Sequence, residues 1–257
     1  MVNNITFYIL YIMNIHVLLY ILYKPGKYSN IGFQCKKVSM SDLKQDWEEY
    51  TRAFTFLADI LNTPPNANIT RKNKELFCGS DNPPMEINSH VGYQAIAAFF
   101  QDNMNVSIEK LVQDLAVDWT RLFRGVSQRY GPPPPYEGVY RKKDEVGAEI
   151  ILEVKRIYSE HGLSISDEGR DRFDYLGYEL DFMKYLSEHI ALAIERGQKK
   201  EEENYRDAFC RFISQHLSTW VGDFCAQAAK YTKTPFYSGV LMLLEDTIVN
   251  ATAICNP

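Results

Sequence analysis

Residues 173–194 read FDYLGYELDFMKYLSEHIALAI. Phe173, Leu176, Leu180, Met183, Leu186, Ile190 and Ile194 recur at three- and four-residue steps, which places them on one face of a helix. Ser166 stands upstream as a candidate N-cap for that helix. The same period extends in both directions. Upstream, Trp47, Tyr50, Phe54, Leu57, Ala58 and Leu61 form one stripe, stopped at Pro64-Pro65 because proline cannot continue a helix. Short helices are expected around Lys72 to Phe77 and from Val91 to Asp102. Ile108, Leu111, Val112, Leu115, Trp119, Leu122 and Phe123 follow a candidate cap at Ser107 and end at Gly125.

The loop Tyr130 to Tyr136 holds four consecutive prolines, Pro132 to Pro135, and must be extended. A helix from Asp144 to His161 ends at Gly162, which fits a left-handed cap. Downstream of the opening stretch, Gly197 to Glu203 reads as a charged turn. One long helix then carries Phe209, Phe212, Ile213, Leu217, Trp220, Val221 and Phe224. Thr234-Pro235 starts a last helix with Tyr237, Val240, Leu241, Leu244 and Ile248. Convincing period-two alternation and Asn-Gly or Asp-Gly hairpin signals are missing, so the expected fold is all-α, a multi-helix bundle.

Residues 5–23, ITFYILYIMNIHVLLYILY, differ from the rest. They are long enough to span a bilayer. The preceding four residues carry no Lys or Arg, and no small-residue cleavage site follows, unlike a cleaved signal peptide. Two readings stay open. Either the segment is a membrane anchor, with Lys24, Lys27, Lys36 and Lys37 holding the body in the cytoplasm, or the reading frame starts too early and Met40 is the true start. Both divide the chain into an apolar extension, 1–39, and a cytoplasmic helical domain, 40–257. Membrane contact is expected only if the anchor is real.

A hydrophobic share of 46% and a charged share of 24% suit a globular protein. The net charge of −5 argues against gripping a nucleic acid backbone and is compatible with a cationic peptide. Five cysteines, an odd number without CxxC spacing, argue against a disulfide framework or zinc site and predict free thiols. The five histidines are scattered, and no metal or other cofactor is expected. There is no GxSxG, no P-loop and no dinucleotide fingerprint, so an enzyme is not expected.

Three segments read together. Trp119-Thr-Arg-Leu122-Phe123-Arg-Gly125 precedes Pro134-Pro135-Tyr136-Glu137-Gly138-Val139-Tyr140. Glu168-Gly-Arg-Asp171-Arg172-Phe173 precedes Tyr178-Glu-Leu-Asp-Phe182-Met183. His216-Leu217-Ser-Thr-Trp220-Val-Gly-Asp-Phe224 precedes Pro235-Phe236-Tyr237 and Thr247. Their order and spacing resemble the TorD/DmsD family of molybdoenzyme-maturation chaperones. That family has a W-x-x-L-F-x-G helix end, a P-P-Y/W-x-S-V-Y/W loop, an E-P-x-D-H helix start, and H-L-x-x-W-x-x-x-F before P-F-Y. The resemblance covers residues 119–247. Gly169 stands in the proline place, Arg172 in the histidine place and Gly138 in the serine place.

The resemblance implies a cytoplasmic chaperone, monomer or homodimer, for the precursor of a molybdopterin oxidoreductase. Its ligand would be the precursor's twin-arginine leader. Carboxylates suit the arginines, because a guanidinium donates two parallel hydrogen bonds to one carboxylate. An apolar groove suits the rest of a leader that becomes helical. Asp171 and Glu168, with Arg172 beside them, are the expected polar contacts, within an acidic cluster that also holds Asp167 and Asp174. Trp119, Leu122, Phe123, Tyr136 and Tyr140 are the expected apolar contacts. The helix dipole alone also favours acids in a first turn. Trp220 and His216 read as structural. The alternative function is a general helical adaptor that binds a folded partner.

Overall fold

The computed structural model describes residues 40–78, 90–125, 129–141, 147–164 and 172–255. The apolar segment 5–23 and the rest of 1–39 lie outside the described residues. The elements are α1 (Met40–Asn62), α2 (Ala67–Cys78), α3 (Val91–Asp102), α4 (Ile108–Phe123), α5 (Glu137–Arg141), α6 (Ala148–Glu160), α7 (Leu176–Glu195), α8 (Lys199–Gln215), a 3₁₀ turn (Leu217–Thr219), α9 (Val221–Ala228) and α10 (Pro235–Cys255). No strand occurs among the described residues. The fold is all-α, as the helical period predicts.

The opening stretch forms the centre. α7 packs along α1 on one side and along α8 on another. Leu176, Leu180, Met183, Leu186 and Ile190 are fully buried against Phe54, Leu57 and Leu61 of α1 and Phe209, Phe212 and Ile213 of α8. Each such side chain contributes roughly 1.5–3 kcal/mol of burial.

α10 packs mainly on α3. By length and composition it is apolar enough to cross a membrane, yet Phe236, Tyr237, Val240, Leu244 and Ala251 lie in the core. Gly92 and Gly239 let the two helices approach closely. A Cβ on Gly92 would stand 2.6 Å from the Gly239 carbonyl, and one on Gly239 would stand 2.4 Å from the Gly92 carbonyl.

The caps follow the sequence. Ser107 Oγ accepts from the Lys110 N–H at 3.3 Å, and Gly125 and Gly162 take left-handed φ of 66° and 71°. Pro235 opens α10, where its missing N–H costs nothing. The two N–H groups just before it are met from α4. Asp118, buried, accepts from Lys233 N at 3.0 Å, Thr234 N at 2.9 Å and Thr234 Oγ1 at 2.9 Å, while Arg121 donates to it at 2.7 Å.

Several boundaries differ from the expectation. α2 covers 12 residues from Ala67, longer than the Lys72 to Phe77 segment. α7 begins at Leu176, so Phe173 precedes it; Ser166 lies outside the described residues. Lys199–Glu203 is the first turn of α8 and not a turn between helices, with Glu201 and Glu202 placed where the helix dipole favours acids. The expected long helix breaks at His216 (φ −115°, ψ −86°) and resumes at Val221.

The cysteine expectation is also corrected. Cys210 and Cys255 form a disulfide between α8 and the end of α10. Sequence spacing could not reveal it, because helix packing brings their Cα atoms to 5.2 Å across 45 residues. Cys78 and Cys225 are free thiols, and Cys35 lies outside the described residues. Burial pushes the Cys225 thiol up, which keeps it in the unreactive neutral form.

Candidate functional site

Two irregular segments meet at the start of α7. The proline loop runs antiparallel to the residues before that helix. Glu137 N donates to Asp174 O at 2.9 Å and Leu176 N to Pro135 O at 3.0 Å, which pairs Tyr136 with Tyr175. This pairing explains why α7 starts at Leu176: the Asp174 carbonyl and the Leu176 N–H, on either side of Tyr175, are held by backbone bonds from a segment nearly forty residues upstream.

The pairing gathers three buried carboxylates: Asp174, Glu137 and Glu179. Asp174 Oδ2 accepts from Gly138 N at 2.9 Å. A Cβ on Gly138 would stand 3.0 Å from that oxygen and 3.0 Å from Gly147 Cα, so glycine here gives the close N–H contact room. Arg172 grips the same carboxylate with both prongs, Nε to Oδ1 and Nη2 to Oδ2, each at 2.8 Å. Its guanidinium lies over the Tyr136 ring, 4.4 Å from the centroid.

Glu137 meets two groups from other directions. Arg141 Nη1 bonds its Oε1, and His216 Nδ1 lies 2.9 Å from Oε2. Arg141 also donates to Gln215 O at 3.1 Å, tying α5 to the end of α8. The break at His216 thus has a function in the packing: it turns the imidazole onto Glu137 while Trp220 stays in the core. Neither oxygen of Glu179 makes a hydrogen bond at good geometry, although Glu137 and the Trp220 indole N–H lie close enough to influence its charge. Burial first, then the charge of Glu137, pushes its pKa well above the usual carboxylate range. The neutral acid is therefore the form that the core accepts.

The expected contact residues divide into three groups. Glu168 and Asp171 lie outside the described residues. Trp119, Leu122 and Phe123 are in the core: Trp119 Nε1 donates to Ile60 O at 2.8 Å, and Phe123 packs on Phe224 and Tyr237. That placement gives these three no open surface in this conformation, because the stripe that carries them is the face α4 buries. Arg172, Tyr136 and Tyr140 are only partly buried and do line the junction. Tyr140 donates to Pro133 O at 2.9 Å and packs on Trp220, which stiffens the proline loop.

Glu137, Glu179, Arg141 and His216 were not read as site residues. One signal was present for Glu179, which interrupts the apolar face between Leu176 and Met183. Among the described residues, no group of three or more His, Cys, Asp and Glu is arranged to hold a metal ion.

A family model described as the nitrate reductase delta subunit matches residues 90–226, just over half of the chain. The chain belongs to this family. The match spans α3 to α9, and so includes the whole junction of Asp174, Glu137, Glu179 and His216. It agrees with the TorD-like resemblance in the motif order. A chaperone protein TorD of Vibrio vulnificus strain YJ016 is 26% identical over 135 residues, 51% of this chain and 59% of that protein. A perchlorate reductase assembly chaperone of Dechloromonas aromatica is 28% identical over 131 residues, 50% of this chain and 57% of its own. A selenate reductase assembly chaperone of Thauera selenatis is 30% identical over 90 residues, 35% of this chain and 45% of its own. The chain spans under two thirds of the length of these relatives.

Proposed function

We propose that this chain is a cytoplasmic maturation chaperone, and not an enzyme. It holds the precursor of a molybdopterin oxidoreductase by its twin-arginine leader until cofactor insertion and folding are complete. The family match over residues 90–226 carries this reading, together with relatives named as assembly chaperones for reductases.

The junction supplies chemistry suited to such a leader. Three carboxylates lie beneath a partly exposed aromatic and arginine surface. The start of α7 at Leu176 favours shifting the family's E-P-x-D-H motif by three residues. Asp174 then takes the place of its aspartate, Tyr175 that of its histidine, and Asp171 that of its glutamate. The shift assigns Arg172 to the proline place, so that it no longer replaces the histidine.

Calorimetry tests this. A synthetic leader of the client reductase is titrated into wild type, Asp171→Asn and Asp174→Asn, with circular dichroism to confirm folding. We expect wild type to bind and Asp174→Asn to lose at least tenfold in affinity. Failure of wild type to bind any twin-arginine leader, while it captures the folded reductase, would replace this reading with a helical adaptor.

A further inference from the structure

The carboxylate of Asp174 is already occupied, and by a group of the kind a leader would bring. Arg172 binds it through two parallel hydrogen bonds of 2.8 Å, the fork geometry that arginine makes with carboxylates. Asp174 is fully buried, whereas 29% of the Arg172 side chain faces solvent. Among the described residues, the way from solvent to Asp174 is the position where Arg172 now stands. Gly138 N takes a further position on Oδ2, so the carboxylate has little acceptor capacity left.

Arg172 is held differently from Arg141, its counterpart on Glu137. Arg141 is part of a helix and is tied to a backbone carbonyl of α8 as well. Arg172 precedes α7 in irregular chain, and its polar bonds in the described structure all go to Asp174. Its guanidinium also lies over the face of Tyr136, a contact that any guanidinium could use equally.

We propose that Asp174 and Tyr136 form a guanidinium site that the chain's own Arg172 fills in the free protein, and that a client arginine binds by displacing it. This rests on the proposed leader recognition and adds an autoinhibitory step to it. A site open only part of the time binds with an affinity reduced by the open fraction, so freeing it tightens binding by the same factor.

The experiment compares wild type, Arg172→Ala and the double variant Arg172→Ala/Asp174→Asn in two arms. The first arm measures thermal stability with ethylguanidinium or ethylammonium at equal concentration. Arg172→Ala should melt below wild type, and ethylguanidinium should restore it saturably where ethylammonium does not. Wild type and the double variant should show no such preference. The second arm titrates a twin-arginine leader, with a twin-lysine version as control. Arg172→Ala should bind the twin-arginine leader about tenfold more tightly than wild type.

Absence of a guanidinium preference in Arg172→Ala would overturn the site itself. Rescue by ethylguanidinium with no leader binding to either protein would keep the site and remove the leader as its ligand. Equal leader binding by wild type and Arg172→Ala would keep leader recognition and overturn displacement. Should Arg172→Ala fail to fold, Arg172→Lys, which keeps the charge and loses the fork, carries the same comparisons.

Discussion

Glu179→Gln should stabilise this protein at neutral pH, although it alters a fully buried side chain. The unfolded chain ionises Glu179 near its ordinary value of 4.5, whereas burial and the Glu137 charge hold the folded form protonated. The folded pKa is raised, so the favourable contribution is complete below 4.5 and is lost as pH rises towards the folded value. Each pH unit by which the folded pKa exceeds the unfolded one, counted up to the working pH, costs about 1.36 kcal/mol. Glutamine cannot ionise in either state, so the variant escapes this cost. It also keeps a donor that can face Glu137. Urea denaturation of both proteins at several pH values between 5 and 8 measures the difference. Wild type should lose stability across that range relative to Glu179→Gln, with the gap widening steadily as pH rises towards the folded pKa. Parallel pH profiles, with Glu179→Gln the less stable throughout, would show that Glu179 is ionised in the folded protein and refute the reasoning.

Asp118→Ala removes the acceptor of two backbone N–H groups and a hydroxyl at the start of α10. We expect a loss of about 3 kcal/mol in denaturant titrations, and a change under 1 kcal/mol would deny its capping role. Reduction of Cys210–Cys255, or Cys210→Ser, reopens a 45-residue loop and should cost about 2–4 kcal/mol; an unchanged midpoint with and without reductant would contradict it. Gly239→Ala places a Cβ against the Gly92 carbonyl and should cost roughly 1–3 kcal/mol of stability by forcing α3 and α10 apart. Thermal melts check this, and a variant as stable as wild type would mean that the two helices slide freely.

The helical stripes were legible because each is a local pattern with a local stop. Pro64-Pro65 after α1, Ser107 before α4 and Gly162 after α6 are read without knowing anything distant. The site was less legible because distant contacts build it. The acids at 167, 168 and 171 suggest a helix start, but the bonds of Asp174 O and Leu176 N with Glu137 and Pro135 delay the helix to Leu176. The spacing from Phe209 to Phe224 continues evenly through His216, so nothing in it marks the break that delivers the imidazole to Glu137. Trp119, Leu122 and Phe123 belong to a stripe that a core demands as readily as a groove does. The disulfide depends on where two helices cross, which no count of cysteines encodes.

The pairing of Tyr136 with Tyr175 also makes the junction observable from a distance. The amides of Glu137 and Leu176 each close a bond between the proline loop and the head of α7, outside the ladder of any helix. Their exchange with deuterium reports whether those two segments are together, independently of the exchange of α7 itself. A partner that pulled the loop away would speed both amides while Leu180 and Met183 stayed protected. One that pressed the loop down would slow them. These two amides therefore form a built-in gauge, giving the direction as well as the fact of engagement.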